Sequence, residues 1–403
     1  MNHESRLQLA AHPVAYPLMR TLARLGPVVR VPGLGVVVND AAVARAVLTD
    51  ERFRKDGPGS PGDLWTPVLG PSVLLNMEGP GHLALRRKLA PLFAPAHVSA
   101  LVDDVLRGPL ADLGARLERG ETVDVVDAMR LMAGAVICRV IGLGEVSEAR
   151  ARELFADGER VVSMVSLRSR RLSDRQVTAA RRVLDRIGDI AQAAYEAGDE
   201  STVMGRMRAQ GLSAAEARGA AGAFFLTGTE TVATFVPRLV ALVHDHRSLA
   251  SGSGGPGDTG HLGYLGGLGD LGAPGDLGGI GDLDALVEEA MRVTTPTPVM
   301  LRSVSAPARV GGIGVRPGDR VLIVTHNCAR AYGPFDPSRP HPPELRRLWF
   351  GAGPHFCIGY PLALAEIRAV ASVLLSHRVR VVRRRAARRV LIPTYERLWV
   401  SAS

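Results

Sequence analysis

Six stretches of this chain, 83–93, 98–117, 128–141, 147–165, 174–197 and 214–242, repeat apolar residues every three to four positions. That spacing lines them up along one side of an α-helix, so each stretch must bury its stripe against the others. Aromatic residues make up only 4% of the 403 positions while hydrophobic residues make up 46%, so the core rests on Leu, Val and Ala, which favour packed helices. Shorter elements fit between them. A hairpin is expected over 28–31 and 36–38 across Pro32-Gly33-Leu34-Gly35, then a short capped helix over 40–48. The Pro- and Gly-rich run 57–71 predicts a loop. A helix over 283–293, short strands within 308–324, an irregular Pro-rich run to Arg347, a helix over 361–375 and strand-like patterns near the end complete a mainly α chain with small β-sheets.

The segment 251–281 is crowded with Gly and repeats Leu-Gly and Gly-Asp-Leu units, a composition that orders at high entropic cost, and it predicts a flexible insertion in a single domain spanning 1–403. Its aspartates lack the nonapeptide period of calcium-binding repeats. No leader or membrane anchor is expected, since Met1 to Gly26 is interrupted by His, Arg and Pro before a long apolar run develops, and a cytoplasmic location follows. Three cysteines, Cys138, Cys328 and Cys357, lie far apart, which disfavours a disulfide framework or a zinc site. The net charge of +9 invites a nucleic-acid reading, but the Arg-rich stretches lack the aromatic interleaving that base stacking uses, so no nucleic-acid partner is expected.

The chemistry concentrates in Phe350-Gly351-Ala352-Gly353-Pro354-His355-Phe356-Cys357-Ile358-Gly359, a glycine-rich loop that delivers one cysteine just before a helix. Helix-start amides favour a thiolate, and glycines allow a tight turn beneath a flat ligand. This segment resembles the haem-binding signature of cytochrome P450. The resemblance runs from about Val28 to the C-terminus and implies that family's fold, with haem b (iron protoporphyrin IX) between a long central helix and the loop presenting Cys357 as axial iron ligand. It places Phe350 beside the sulfur and Gly351 in the turn.

Further motifs stand in register. Glu289 and Arg292, at i and i+3 on one helix, resemble the family's ExxR pair, and Arg339 is expected as the third member of a structural triad. Thr227-Gly228-Thr229-Glu230-Thr231 resembles the oxygen-activating motif of the long helix, which implies Gly228 at the haem face and proton delivery by Thr231 and Glu230. His82 and Arg86 resemble the HxxxR pair, and with Arg302 and His355 they are the expected partners of the haem propionates. What the resemblance implies for turnover is O2 as co-substrate, with electrons from NAD(P)H through ferredoxin reductase and an acidic ferredoxin. Arg87, Lys88, Arg346, Arg347 and Arg368 are the expected docking cations on a monomer.

A small lipophilic substrate is expected against Leu64, Trp65, Val68, Val73, Met164, Val165, Phe224, Phe225, Thr227, Val299, Met300, Thr394 and Tyr395, with the arginines between Leu167 and Leu172 at the entrance. The expected product is that of hydroxylation or a related oxidation in secondary metabolism. Two alternatives stay open: a haem- or intermediate-binding module without turnover, and a peroxide-driven haem enzyme.

Overall fold

The structure is a computed structural model that describes residues 3–165, 169, 171–252 and 279–402, with the backbone alone at 248–252 and 279–282. The expected glycine-rich insertion lies almost wholly outside the described residues, as do Arg168 and Arg170 of the expected entrance.

The chain opens with two helices that the sequence pattern does not announce, α1 (His3–Ala11) and α2 (Ala15–Leu25), then forms the expected hairpin of β1 (Val28–Val31) and β2 (Gly35–Val38). Asp40 caps α3 (Ala41–Thr49) by accepting from the Val43 amide, and β3 (Phe53–Arg54) follows. The predicted loop over 57–71 is corrected here: Pro61–Leu69 forms a helix, α4. Pro61 sits in its first turn, where no intrahelical amide is required, so a residue that reads as a breaker acts as a starter.

The helical body consists of α5 (Gly79–Leu89), α6 (Pro95–Glu118), α7 (Val125–Val140), α8 (Glu148–Val162), α9 (Asp174–Ala197), the short α10 (Val203–Ala209) and the long α11 (Ala214–Gly252), with β4 (Val123–Asp124) before α7. Helix α11 crosses α7, α8, α9 and α14 (Tyr360–Ser376) and is the axis of the body. It is long and apolar enough to span a membrane, yet 67% of its apolar window is buried inside the fold, as befits a core helix. One hydrophobic cluster runs from Leu7 to Val400 through these helices. A buried ion pair ties the N-terminus to the same axis, where Arg238 of α11 donates to both carboxylate oxygens of Glu4 and, at 2.6 Å, to the Thr294 carbonyl.

After α12 (Gly279–Thr294) the chain forms β5 (Met300–Val304), β6 (Ala308–Val310), β7 (Ile313–Val315), β8 (Arg320–Ile323) and the short α13 (Thr325–Arg330). A five-stranded sheet results, in the order β1-β2-β8-β5-β3, with β2 and β8 parallel. Beyond α14, β9 (Arg380–Ala386) and β10 (Tyr395–Ser401) pair antiparallel and β10 also pairs with β4. The sheet carrying β3 and β5 and the loop before α14 are the two supports of the site.

Candidate active site

Cys357 sits at the end of the glycine loop, its amide donating to the Phe350 carbonyl at 2.9 Å and closing the loop on itself. Gly351 has φ +84, and a Cβ there would meet the His355 carbonyl at 3.2 Å, so this position needs glycine. Burial pushes the Cys357 thiol up, while the amides of Gly359 and Tyr360 and the charges of Lys55 and Arg86 pull it down. Phe350 packs edge-on against the Tyr360 ring at 4.9 Å and borders the loop on its apolar side.

The irregular segment that leads to the loop is held by Glu289 and Arg292, both 1% exposed. Arg292 donates Nε and Nη2 to the Glu289 carboxylate at 2.6 Å each, and it also donates to the carbonyls of Ala329, Gly333 and Pro334. The expected third partner is corrected. His341 Nε2 lies 2.8 Å from Glu289 Oε2 and the Asp336 amide donates to Oε1 at 2.7 Å, whereas Arg339 turns away to the Tyr332 carbonyl and to Asp336. These partners hold the Glu289 carboxyl below its ordinary value against the opposing effect of burial.

On α11, Phe224, Thr227, Gly228 and Thr231 keep accessible surface, whereas Phe225, Thr229, Val232 and Ala233 are buried. The first four recur at i, i+3, i+4 and i+7, so they form one open stripe along an otherwise packed helix. Thr231 Oγ1 donates to the Thr227 carbonyl at 3.3 Å, and Thr227 Oγ1 to the Ala223 carbonyl at 2.8 Å. A carboxyl stands one residue before Thr231, turned toward α7 and α8. Burial, helped by the nearby Glu159 carboxylate, pushes Glu230 up to about 8, and Arg130 offsets this only in part because it pairs with Glu159 at 2.7 Å.

Helix α4 packs on α9 and α11, with Arg181 of α9 donating to the Pro67 carbonyl at 2.8 Å and Gly222, on the buried side of α11, facing Leu69. Trp65, Phe224 and Met300 are half-buried and pack on the main core, Phe224 edge-on to Phe93 at 5.1 Å, while Val68 is buried. Three expected substrate contacts are corrected. Phe225 is fully buried on the opposite face of α11, and Tyr395 is buried where Arg384 and Glu4 act on its phenol. Val299 packs on a separate small cluster with Tyr16, Met19 and Val324. Thr394 does reach α11, its hydroxyl lying 3.4 Å from the Thr234 carbonyl.

The cationic side of the site gathers residues from four elements. His82 of α5 is buried and stacks on His355 at 4.2 Å between ring centroids, and burial with neighbouring positive charge drives it down to about 4. His355 Nε2 meets Glu78 Oε2 at 2.8 Å. Arg302 of β5 is buried, its Nε has no hydrogen-bond partner among the described residues, and burial lowers it to about 10. Arg86 is also lowered by burial. No sequence motif marks Lys55, yet it stands here too, brought down to about 7 by burial and by Arg302. Glu366 of α14 is a second residue without a sequence signal, buried and pushed up to about 8 by that burial alone.

A cysteine just before α14, an open stripe on the long helix, and the cations Lys55, Arg86 and Arg302, none of which forms an ion pair among the described residues, suit an iron porphyrin with two propionates. The unpaired Nε of buried Arg302 is the observation that tests the fit. Three of the expected docking cations, by contrast, are engaged within the chain: Lys88 with Glu216, Arg347 with Glu288 and Arg368 with Asp284.

Comparison with known proteins agrees with this arrangement. Residues 279–391 match the family model described as Cytochrome P450. The chain is 28% identical to the cytochrome P-450 monooxygenase DoxA of Streptomyces sp. (strain C5), over 87% of this chain and 84% of that protein. It is 25% identical to the erythromycin C-12 hydroxylase of Saccharopolyspora erythraea, over 76% of this chain and 73% of that protein. Among solved structures, P450BioI in complex with an acyl carrier protein superposes with a TM-score of 0.76 at 19% identity, covering 98% of this chain and 100% of that one. A mutant of P450 EryK in complex with erythromycin B gives 0.73 at 22%, covering 98% and 97%. Fold, cysteine loop and relatives agree: the chain has the cytochrome P450 fold, and its segment 279–391, which carries the Glu289–Arg292 pair and the Cys357 loop, matches that family's model.

Proposed function

We propose that this protein, as one catalytic domain over 1–403, inserts one atom of O2 into a lipophilic secondary metabolite during antibiotic-class biosynthesis. The observation that carries the reading is the convergence of the Cys357 loop, the open stripe of α11 and the uncompensated cations Arg86 and Arg302. The names of the relatives support the metabolic setting, among them the 20-oxo-5-O-mycaminosyltylactone 23-monooxygenase of Streptomyces fradiae.

In this reading Cys357 holds the iron of haem b, while His82, Arg86, Arg302 and His355 receive the propionates. When bound there, haem would supply dioxygen activation, which thiolate ligation favours. The chain's residues set the conditions. The Gly359 and Tyr360 amides stabilise the thiolate, and Phe350 keeps water from the sulfur. Gly228, which has no side chain on the open stripe of α11, would let the haem approach the helix. Thr231, whose hydroxyl donates to the Thr227 carbonyl, and Glu230, whose carboxyl stands near 8, would hold and release protons around neutral pH. Trp65, Val68, Phe224, Thr227 and Met300 border the substrate. Electrons come from NAD(P)H through ferredoxin reductase and an acidic ferredoxin that meets Arg87 and Arg346 on a cytoplasmic monomer.

The test is the difference spectrum of the dithionite-reduced protein with and without carbon monoxide. A red-shifted thiolate-type Soret band, lost in Cys357→Ala, is the expected result. A folded protein with no haem, or one with an imidazole-type band, turns the reading to a binding module without turnover.

A further inference from the structure

We propose that Lys55 is an additional partner of the haem propionates, placed for that role by the pairing of β3 with β5. The inference rests on the haem-thiolate reading above and concerns a residue outside every motif that supports it.

Strand register provides the geometry. Phe53 stands opposite Val304 and Arg54 opposite Ser303, where β3 ends; the next residues out along the two strands are Lys55 and Arg302, and the Arg302 charge acts on Lys55. Residues directly opposite in an antiparallel pair project from the same face, and alternation sends their neighbours to the other. The neighbours obey this: Arg54 lies outward in an exposed bidentate pair with Asp56. Arg302 is buried, and Lys55 shares its face. The backbone around Lys55 is fixed as well, since its amide donates to Glu78 Oε1 at 2.5 Å and its carbonyl accepts from the Gly62 amide at 2.8 Å.

Two like charges at the end of a strand pair repel, an arrangement that a fold tolerates where an anion lies between them. Among the described residues none of Lys55, Arg86 and Arg302 forms an ion pair, and the nearby protein carboxylate, Glu78, is engaged by His355 and the Lys55 amide. Three cations therefore stand around one carboxylate. Two propionates bring the count to three against three, with the cysteine thiolate balancing the ferric porphyrin core. Without Lys55 the same site carries one uncompensated carboxylate.

The experiment compares wild type, Lys55→Met and Lys55→Arg as haem-loaded proteins, with Lys88→Met as a control outside the site. Haem transfer to an excess of a haem-scavenging apo-globin is timed, and the midpoint potential of the iron is measured. Loss of one charge-assisted contact predicts haem release on the order of tenfold faster in Lys55→Met. A more negative midpoint potential accompanies it, because a cation that favours the added electron is gone. Lys55→Arg restores both quantities, Lys88→Met changes neither, and the carbon monoxide band stays thiolate-type in all. Equal haem retention and equal potential in wild type and Lys55→Met overturn the proposal while leaving the haem-thiolate reading intact. A wild type without the thiolate-type band overturns that reading itself.

Discussion

Two carboxylates, Glu289 buried against the segment that leads to the cysteine loop and Glu230 half-buried on α11, show how one residue type serves opposite ends. Glu289 is enclosed by Arg292, His341 and the Asp336 amide, and these hold it ionised. Glu230 has no such enclosure; it faces Glu159, whose own cation is already engaged, and so it keeps its proton well above the ordinary range. A satisfied buried carboxylate fixes structure, whereas an under-satisfied one beside an open stripe is suited to moving protons.

The sharpest break of this contrast is Glu289→Ala, which strands the Arg292 guanidinium in the interior. A loss of about 3–5 kcal/mol is expected, seen as a lower denaturant midpoint and little haem-loaded protein. Glu230→Gln should do the reverse, leaving the fold and the carbon monoxide spectrum intact while substrate oxidation falls on the order of 100-fold. A Glu230→Gln enzyme of undiminished turnover removes the acid role.

The pH dependence of stability sharpens the comparison further. Glu230 carries a raised value in the fold, so its contribution is full below the unfolded value of 4.5 and is lost as pH climbs through about 8. Replacement by Gln should therefore stabilise the protein increasingly across that window. Glu289 carries a lowered value, so its contribution is present above 4.5 and disappears as the pH falls through its folded value. Unfolding curves of the two variants against wild type should diverge in opposite directions with pH. The smallest expected effect separates the observed third partner from the expected one: His341→Ala costs about 1.5–3 kcal/mol through a lost bond to a charged group. Arg339→Ala costs about 1 kcal/mol or less, its ion pair with Asp336 being partly solvated. Denaturant melts of the two variants read the order directly.

What the sequence makes legible here is what neighbouring residues decide. The cysteine loop, the Glu289–Arg292 pair, the α11 motif and helices such as α9, capped by Ser173, depend on spacings within a few turns of chain. What it hides depends on which face of an element meets which neighbour. Phe224 and Phe225 differ by one step around a helix, and only the packing of α7 and α9 on α11 decides that the first lines the stripe and the second fills the core. Val299 and Met300 part in the same way at the start of a strand. His341 and Arg339 lie in an irregular run where no period predicts direction, and Lys55 acquires its neighbour only through a strand pair closed between distant parts of the chain.

The ion pair between Glu4 and Arg238 carries a practical lesson for anyone handling this protein. Trimming the chain before Leu7, by protease or by cloning, takes away the carboxylate that neutralises a guanidinium buried in α11, the helix that also bears Thr231. Damage to α1 would then be felt in the middle of the molecule, in α11.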